Sequence, residues 1–278
     1  MQYSPSYIFC RPILSEEQKK HIHSLAAASP LVEFKKDSRN FEEASIDFIY
    51  TSARIEGNSY DRLDTSALLR KGITAEGKRY SDATMILNLR DAFNMVMQCD
   101  DNTEINRSYV CDLHQELTKN GLLLPKEQGI MRTGHVEISG TSYTPLDDPV
   151  RLREEMKFTL LQANKYDDPF ERAIYLHCNI AYLQYFSDGN KRLARMVQTA
   201  TLTQRNLMPL LFDIRFIRQY INSVIDYYES GDYQPYVDFF QKNYELSTRR
   251  VLGMSFEEIF GADAAQNMLT HAEKIMAV

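Results

Sequence analysis

Apolar residues recur at helical spacing along almost the whole of this chain. A Ser15-Glu-Glu-Gln start predicts a helix running to about residue 28, and Asn40-Phe-Glu-Glu predicts a second, with Ile46, Ile49 and Ala53 on one face. Residues 82–98 read as a longer amphipathic helix whose stripe is Ile86, Leu89, Ala92, Phe93 and Val96. Residues 107–120 follow, stopped by Gly121. Further helices are expected at 148–165, 169–185, 190–204, 213–229, 233–252 and 255–276, with Pro209 and Gly231 at the breaks. One stretch changes period: from Gly134 to Pro145 apolar and polar residues alternate about Ser139-Gly140, which predicts a β-hairpin. The expected fold is therefore all-α, mainly helical, with one short hairpin and no repeat or low-complexity linker.

Composition narrows the class. A chain of 278 residues, 44% hydrophobic and 25% charged, is long enough to bury a sizeable core. Its net charge of −6 argues against gripping nucleic acid through a basic face. Cys10, Cys99, Cys111 and Cys178 have no C-x-x-C spacing, and three fall in apolar helical patterns, so packing thiols are expected. No run of about 18 apolar residues occurs, and the start lacks a basic segment followed by an apolar one, so a cytoplasmic protein without a membrane partner is expected.

Charge is scarcest where it is most informative. From Ala173 to Gln204 the only Asp, Glu, Lys or Arg residues are Asp188, Lys191, Arg192 and Arg195. In an otherwise buried segment an uncompensated charge is very costly, so an anion is expected there. Gly189 and Asn190 form a turn ahead of a helix, whose first N–H groups and dipole suit an oxyanion. Arg192 and Arg195, three residues apart, share a face and can hold neighbouring phosphate oxygens, while Asp188 reads either as an N-cap or as a Mg²⁺ ligand. Each arginine could instead be satisfied by a core carboxylate.

The run from Phe186 to Arg195 resembles the signature of the Fic family, His-x-Phe-x-Asp/Glu-Gly-Asn-Gly/Lys-Arg-x-x-Arg, matched by Phe186, Asp188, Gly189, Asn190, Lys191, Arg192 and Arg195. Gly129-Ile-Met-Arg132, with Val136, Ile138, Gly140 and Tyr143-Thr-Pro145, is similar to the family's flap hairpin. Ser52-Ala-Arg-Ile-Glu56-Gly57 is similar to its inhibitory motif, and residues 220–232 to its base pocket, with Asn222, Tyr228 and Glu229. The resemblance spans about residues 40–250. It implies ATP and Mg²⁺ as cofactors, Asp188 as metal ligand, and transfer of AMP to a Ser, Thr or Tyr hydroxyl of a target protein aligned by residues 134–145. It also implies inhibition by Glu56 through an ion pair with Arg195, and a division into an N-terminal helical region (1–80, with an inhibitory helix at about 41–57), a core domain (81–250) and a C-terminal helix (251–278).

Two positions depart from the pattern. Gln184 stands where the family's general-base histidine falls, and a glutamine amide cannot take a proton at neutral pH. His177 is in helical phase with Gln184 but two turns away, and is expected to be a core histidine. Lys191 replaces the commoner glycine, as in Doc-type relatives that transfer phosphate and also in members that transfer AMP, so it does not decide the reaction. Lys191 reads equally as a phosphate contact or as a solvated side chain, and Glu56 as an inhibitory carboxylate or as a surface residue ending a helix. Three readings stay open: a weak AMP transferase, a non-catalytic ATP-binding sensor or interaction module, and a Doc-like kinase. Exposed helical faces leave room for a homo-oligomer.

Overall fold

A computed structural model describes residues 1–253 and Glu258. Eleven α-helices lie among them: α1 (Glu16–Ala28), α2 (Leu31–Lys36), α3 (Ser38–Ile55), α4 (Arg62–Lys71), α5 (Tyr80–Val96), α6 (Arg107–Thr118), α7 (Pro149–Ala163), α8 (Pro169–Leu183), α9 (Asn190–Thr203), α10 (Ile217–Ser230) and α11 (Gln234–Val251). The antiparallel pair α8 and α9 is the axis of the molecule. Both are buried almost all round, as their charge-poor sequences require. Helices α5 and α6 pack along α9, α7 and α11 along α8, and α3 reaches the centre through α5.

Local chemistry sets most of the boundaries. Asp148 and Asp168 cap α7 and α8 ahead of prolines at their first turns, Asn106 caps α6, and Ser15 with Gln18 forms a full capping box on α1. Helix α3 begins earlier than its pattern suggested, because Asp37 accepts from the Asn40 N–H. Two helices were not expected. Helix α2 is six residues long and buries only Leu31 and Phe34, and α4 is polar apart from one narrow face but is stopped cleanly by Gly72 in the left-handed region. The expected helix at 255–276 lies outside the described residues.

The hairpin expected at 134–145 is corrected. Its arms share no ladder; the sole bridge of the outer arm is a parallel one between Thr144 and Gln2. Tyr3 N–H donates to Thr144 O at 3.1 Å, and Thr144 N–H to Met1 O at 2.7 Å. An edge strand takes the nearest chain that can satisfy its backbone, and here that is the N-terminal segment. Inside this corner Tyr143 stacks on Tyr182 at 4.5 Å and Tyr3 stacks on the same ring at 5.3 Å.

The N-terminal segment is held further along by one buried carboxylate. Glu171 Oε1 accepts the N–H groups of Ile13 at 2.8 Å and Leu14 at 3.0 Å, and Lys19 lies 3.2 Å from Oε2. Glu171→Ala is expected to cost about 1–3 kcal/mol for each amide left buried without an acceptor, read as a fall in the urea midpoint at an unchanged slope.

Candidate anion-binding site

The turn between α8 and α9 is built by bending the backbone at both ends. Gln184 leaves α8 with φ 47° and ψ 54°, a left-handed conformation that costs a non-glycine residue about 1–2 kcal/mol. Gly189 enters α9 with φ 80°. A Cβ on Gly189 would also meet Thr118 Cγ2 at 3.3 Å and Arg192 Nη2 at 3.5 Å, so both backbone and packing call for glycine.

Asn190 pins the turn together. Its Oδ1 accepts the Phe186 N–H at 2.9 Å, while its Nδ2 donates to Phe186 O at 2.8 Å and to Gln184 Oε1 at 3.1 Å. Expected as a ligand-binding side chain, Asn190 spends its hydrogen bonds on the loop itself. The Gln184 amide is similarly held, donating to Ala181 O at 2.7 Å. His114, to which the sequence reading assigned no role, stacks on Phe186 with centroids 3.7 Å apart. Its Nε2 lies 2.9 Å from Asp188 O, and its Nδ1 accepts the Gly129 N–H at 3.0 Å, which makes Nε2 the protonated nitrogen. Burial pushes its pKa down to about 4.

Gly189 caps α9 without a side-chain hydrogen bond, so the reading of Asp188 as N-cap is corrected. The Asp188 side chain is 64% exposed and accepts from Arg192 Nη2 at 2.8 Å. Its carboxylate can therefore contribute an oxygen to a metal ion, and the first-turn N–H groups of α9, which no side chain caps, can receive an oxyanion. Among the described residues no group of three or more His, Cys, Asp or Glu could hold a metal, so a cation at Asp188 would take its remaining oxygens from water and from bound phosphate.

Arg195 is completely buried. Its Nε donates to Ser52 Oγ at 2.9 Å, Nη1 to the Tyr220 hydroxyl at 3.2 Å, and Nη2 to Ser52 O at 3.1 Å and Glu56 Oε1 at 2.9 Å. Burial would raise the Glu56 pKa, but the charges of Arg195, then Lys191 and Arg192, hold it below the usual carboxylate range. Lys191 Nζ stands 3.9 Å from Glu56 Oε2, so the carboxylate lies between two cations. Ser52 and Glu56 thus come together with Arg195 from the last turn and C-cap of α3.

A cavity of about 220 Å³ opens over this arrangement, lined by Glu56, Val136, Ile138, Gln184, Ser187, Asp188, Gly189, Asn190 and Lys191 among others. Several expected residues do not line it. Asn222 is exposed on α10, Tyr228 is buried, and a Cβ on Gly140 would stand 4.0 Å from Ile225 Cδ1. Glu229 is spent on residues 141–142, accepting from Thr141 Oγ1 at 2.7 Å and Ser142 N at 3.1 Å. Arg132, which drew attention only as part of a motif, ties this segment down: its Nε donates to Gln184 O at 2.6 Å and its Nη1 to Gly134 O at 2.7 Å. Arg132 carries a sequence signal only through the Gly129–Arg132 motif and His114 carries none, because the Gln184 and Asp188 carbonyls they hold are distant in the chain. His177 is a core residue as expected, stacked on Tyr236 at 4.3 Å with Nε2 3.2 Å from the Tyr220 hydroxyl.

Residues 104–202 match the Fic/DOC family model. The chain is 26% identical over 223 residues to protein adenylyltransferase fic-1 of Caenorhabditis elegans, covering 77% of this chain and 42% of that protein. It is 26% identical over 242 residues to protein adenylyltransferase Fic of Nematostella vectensis, covering 81% and 51%. The chain thus spans about half the length of these curated relatives, or less. In fold it is similar to Fic-1 (aa134–508) from C. elegans, with a TM-score of 0.70 at 22% identity over 85% of this chain and 71% of that one. A Fic family protein from Desulfovibrio desulfuricans G20 gives 0.74 at 18% identity, over 88% and 76%.

The His114 geometry makes a pH prediction. Its folded pKa, near 4, lies below the unfolded value of about 6.5. Its contribution to stability is therefore complete above pH 6.5 and lost as the pH falls through 4, by about 3 kcal/mol in all. His177, depressed by burial and by Arg195, adds to the loss in the same direction. His114→Phe, which keeps the ring stack, should lower stability at pH 7 by about 1–3 kcal/mol and flatten the decline between pH 6.5 and 4, as read by urea denaturation across that range.

Proposed function

We propose that this chain, a Fic family protein, binds ATP at the Asp188 turn and transfers AMP to a Ser, Thr or Tyr hydroxyl of a target protein, with Glu56 holding the resting state inactive. The observation that carries the reading is the 2.9 Å pair between Glu56 and the fully buried Arg195. A triphosphate entering the cavity needs a cation beyond Arg192 for its terminal phosphate, and the inner cation there is already neutralised by a carboxylate. ATP could then bind, but with its terminal phosphate turned aside. The two relatives named as protein adenylyltransferases support AMP as the group transferred.

In this reading Arg192 and the first N–H groups of α9 hold phosphate oxygens, and Asp188 would hold Mg²⁺, whose charge would offset that of the phosphates. Ser52 keeps Arg195 oriented. Residues 134–145, anchored by Arg132 and Glu229, present a target segment, and the region 1–80 acts on the core 81–250 through Glu56. The transfer breaks the bond between the α-phosphorus and its bridging oxygen, forms an ester with the target oxygen and releases pyrophosphate. The target hydroxyl must also lose its proton.

Gln184 bears on that last step. Its amide oxygen already accepts from Asn190 and its N–H donates to Ala181 O, so it neither takes a proton nor turns freely toward a hydroxyl. The same tie favours the second reading, an ATP-binding module that engages a partner without turnover.

Incubation with α-labelled and γ-labelled ATP in the presence of a protein target separates these readings. Glu56→Gly should strengthen productive Mg-ATP binding while lowering the stability of the free protein by about 3–5 kcal/mol through the stranded Arg195. Adding Gln184→His to Glu56→Gly should raise AMP labelling by about 10²–10⁴-fold. Mg-ATP binding without labelling by either isotope, in both variants, would leave only the binding module. Unchanged ATP affinity in Arg192→Ala would remove the phosphate assignment itself.

A further inference from the structure

At the end of the α8 and α9 pair remote from the Asp188 turn, a second cavity of about 210 Å³ is lined by Asp101, Asn102, Thr103, Glu104, Ile105, Arg172, Gln204 and Arg205. The separation between Arg172 and Gln184 is twelve residues along α8, which at about 1.5 Å per residue places this cavity roughly 18 Å from the turn. Most of its polar groups are already used. Gln204 Nε2 donates to Thr103 O, the Thr103 hydroxyl to Asp100 at 3.1 Å, and Asn102 Nδ2 to Asp100 at 3.3 Å.

The two guanidinium groups are the exception. Of its five possible donors the Arg172 guanidinium uses one, from Nη2 to Asn164 Oδ1 at 3.0 Å, and its buried Nε has no partner among the described residues. Arg172 makes no ion pair among the described residues, although Asp101 and Glu104 line the same cavity, and burial and then the like charge of Arg205 push its pKa down. Arg205 is paired with Asp101 at 3.1 Å, but both side chains are more than half exposed, and such pairs are weak and readily exchanged. Glu104 is exposed. Two cations that repel each other and keep N–H groups to spare, facing one polar cavity, suit a doubly charged oxyanion held by both forks.

We propose that the cavity between Arg172 and Arg205 binds a phosphate dianion, free or carried on a small organic monoester, at a site separate from the Asp188 turn. Its volume exceeds that of one phosphate, which leaves room for the body of an ester. The anion relieves the repulsion between the two arginines and accepts from the Arg172 Nη groups left over by Asn164.

Calorimetric titration of the full chain with inorganic phosphate, and separately with glycerol phosphate, tests the site, alongside thermal melts. Saturable binding is expected in the unaltered protein, weakened ten-fold or more by Arg172→Gln and by Arg205→Gln, and retained in Arg192→Ala. Tighter binding of glycerol phosphate identifies an ester, and tighter binding of phosphate a free anion; either order supports the site. Without ligand, Arg172→Gln should melt no lower than the parent chain, because it removes a like-charge contact, and phosphate should no longer raise its melting temperature. If Arg172→Gln does not fold, Arg205→Gln carries the same reading. Absence of saturable binding, or binding lost in Arg192→Ala and kept in both Arg172→Gln and Arg205→Gln, overturns the proposal.

Discussion

A single guanidinium with no exposure to water constrains the middle of this protein. Arg195 projects from α9 into the space between α3 and α10, where leaving its charge unpaired would cost more than most core substitutions. It is therefore surrounded. Ser52 supplies a hydroxyl and a carbonyl, Tyr220 a hydroxyl, and Glu56 the only counter-charge on its own hydrogen-bonding groups. Those partners come from α3 and α10, so the position of α3 against the core is tied to the needs of one side chain on α9. The same carboxylate faces the cavity and Lys191, which couples the packing of the N-terminal helices to the electrostatics of the turn.

The turn shows a second constraint, the accommodation of strained backbone. Left-handed geometry at both Gln184 and Gly189 persists because the surroundings over-determine it. Asn190 closes the turn from within, His114 holds it through the Asp188 carbonyl, and Arg132 holds it through the Gln184 and Tyr185 carbonyls. The result is a rigid rim with an exposed Asp188 carboxylate and uncapped helix N–H groups, which are the groups an oxyanion and a cation can use. Rigidity and openness are thus divided between residues: those with the strongest resemblance to ligand-binding positions are not all free to bind ligand.

That division explains how much could be read in advance. The helices around the core were legible because their apolar spacing and caps are local properties, as at Ser15, Asp148 and Asp168. The charged turn was legible because four charges in an apolar segment are costly wherever the segment folds. Less was legible where partners are remote. The period-two pattern at 134–145 was correct about alternation but not about pairing, since the backbone of Thr144 found the N-terminal segment instead of the other arm. Helices α2 and α4 escaped notice because each buries only two residues and has no strong stripe. Asn190 lines the cavity while its side-chain amide holds the turn, and the Glu229 carboxylate accepts from residues 141–142, neither of which residue type alone foretells.

Taken alone, the sequence determined the mainly helical class, the place of the buried charged turn, the absence of a titratable group at Gln184 and the candidate pairing of Glu56 with Arg195. The first two follow from residue type and periodicity, which are properties of neighbouring positions, and the last two from the motifs' resemblance to the Fic signature and its inhibitory helix. Only the tertiary structure decided which donors remain unspent. Hydrogen bonds from His114 and Arg132 to backbone groups, and the lack of an ion-pair partner for Arg172 beside Asp101 and Glu104, depend on three-dimensional proximity between segments far apart in the chain. A side chain's capacity to bind is what is left after its neighbours are satisfied, and the linear sequence does not contain that remainder.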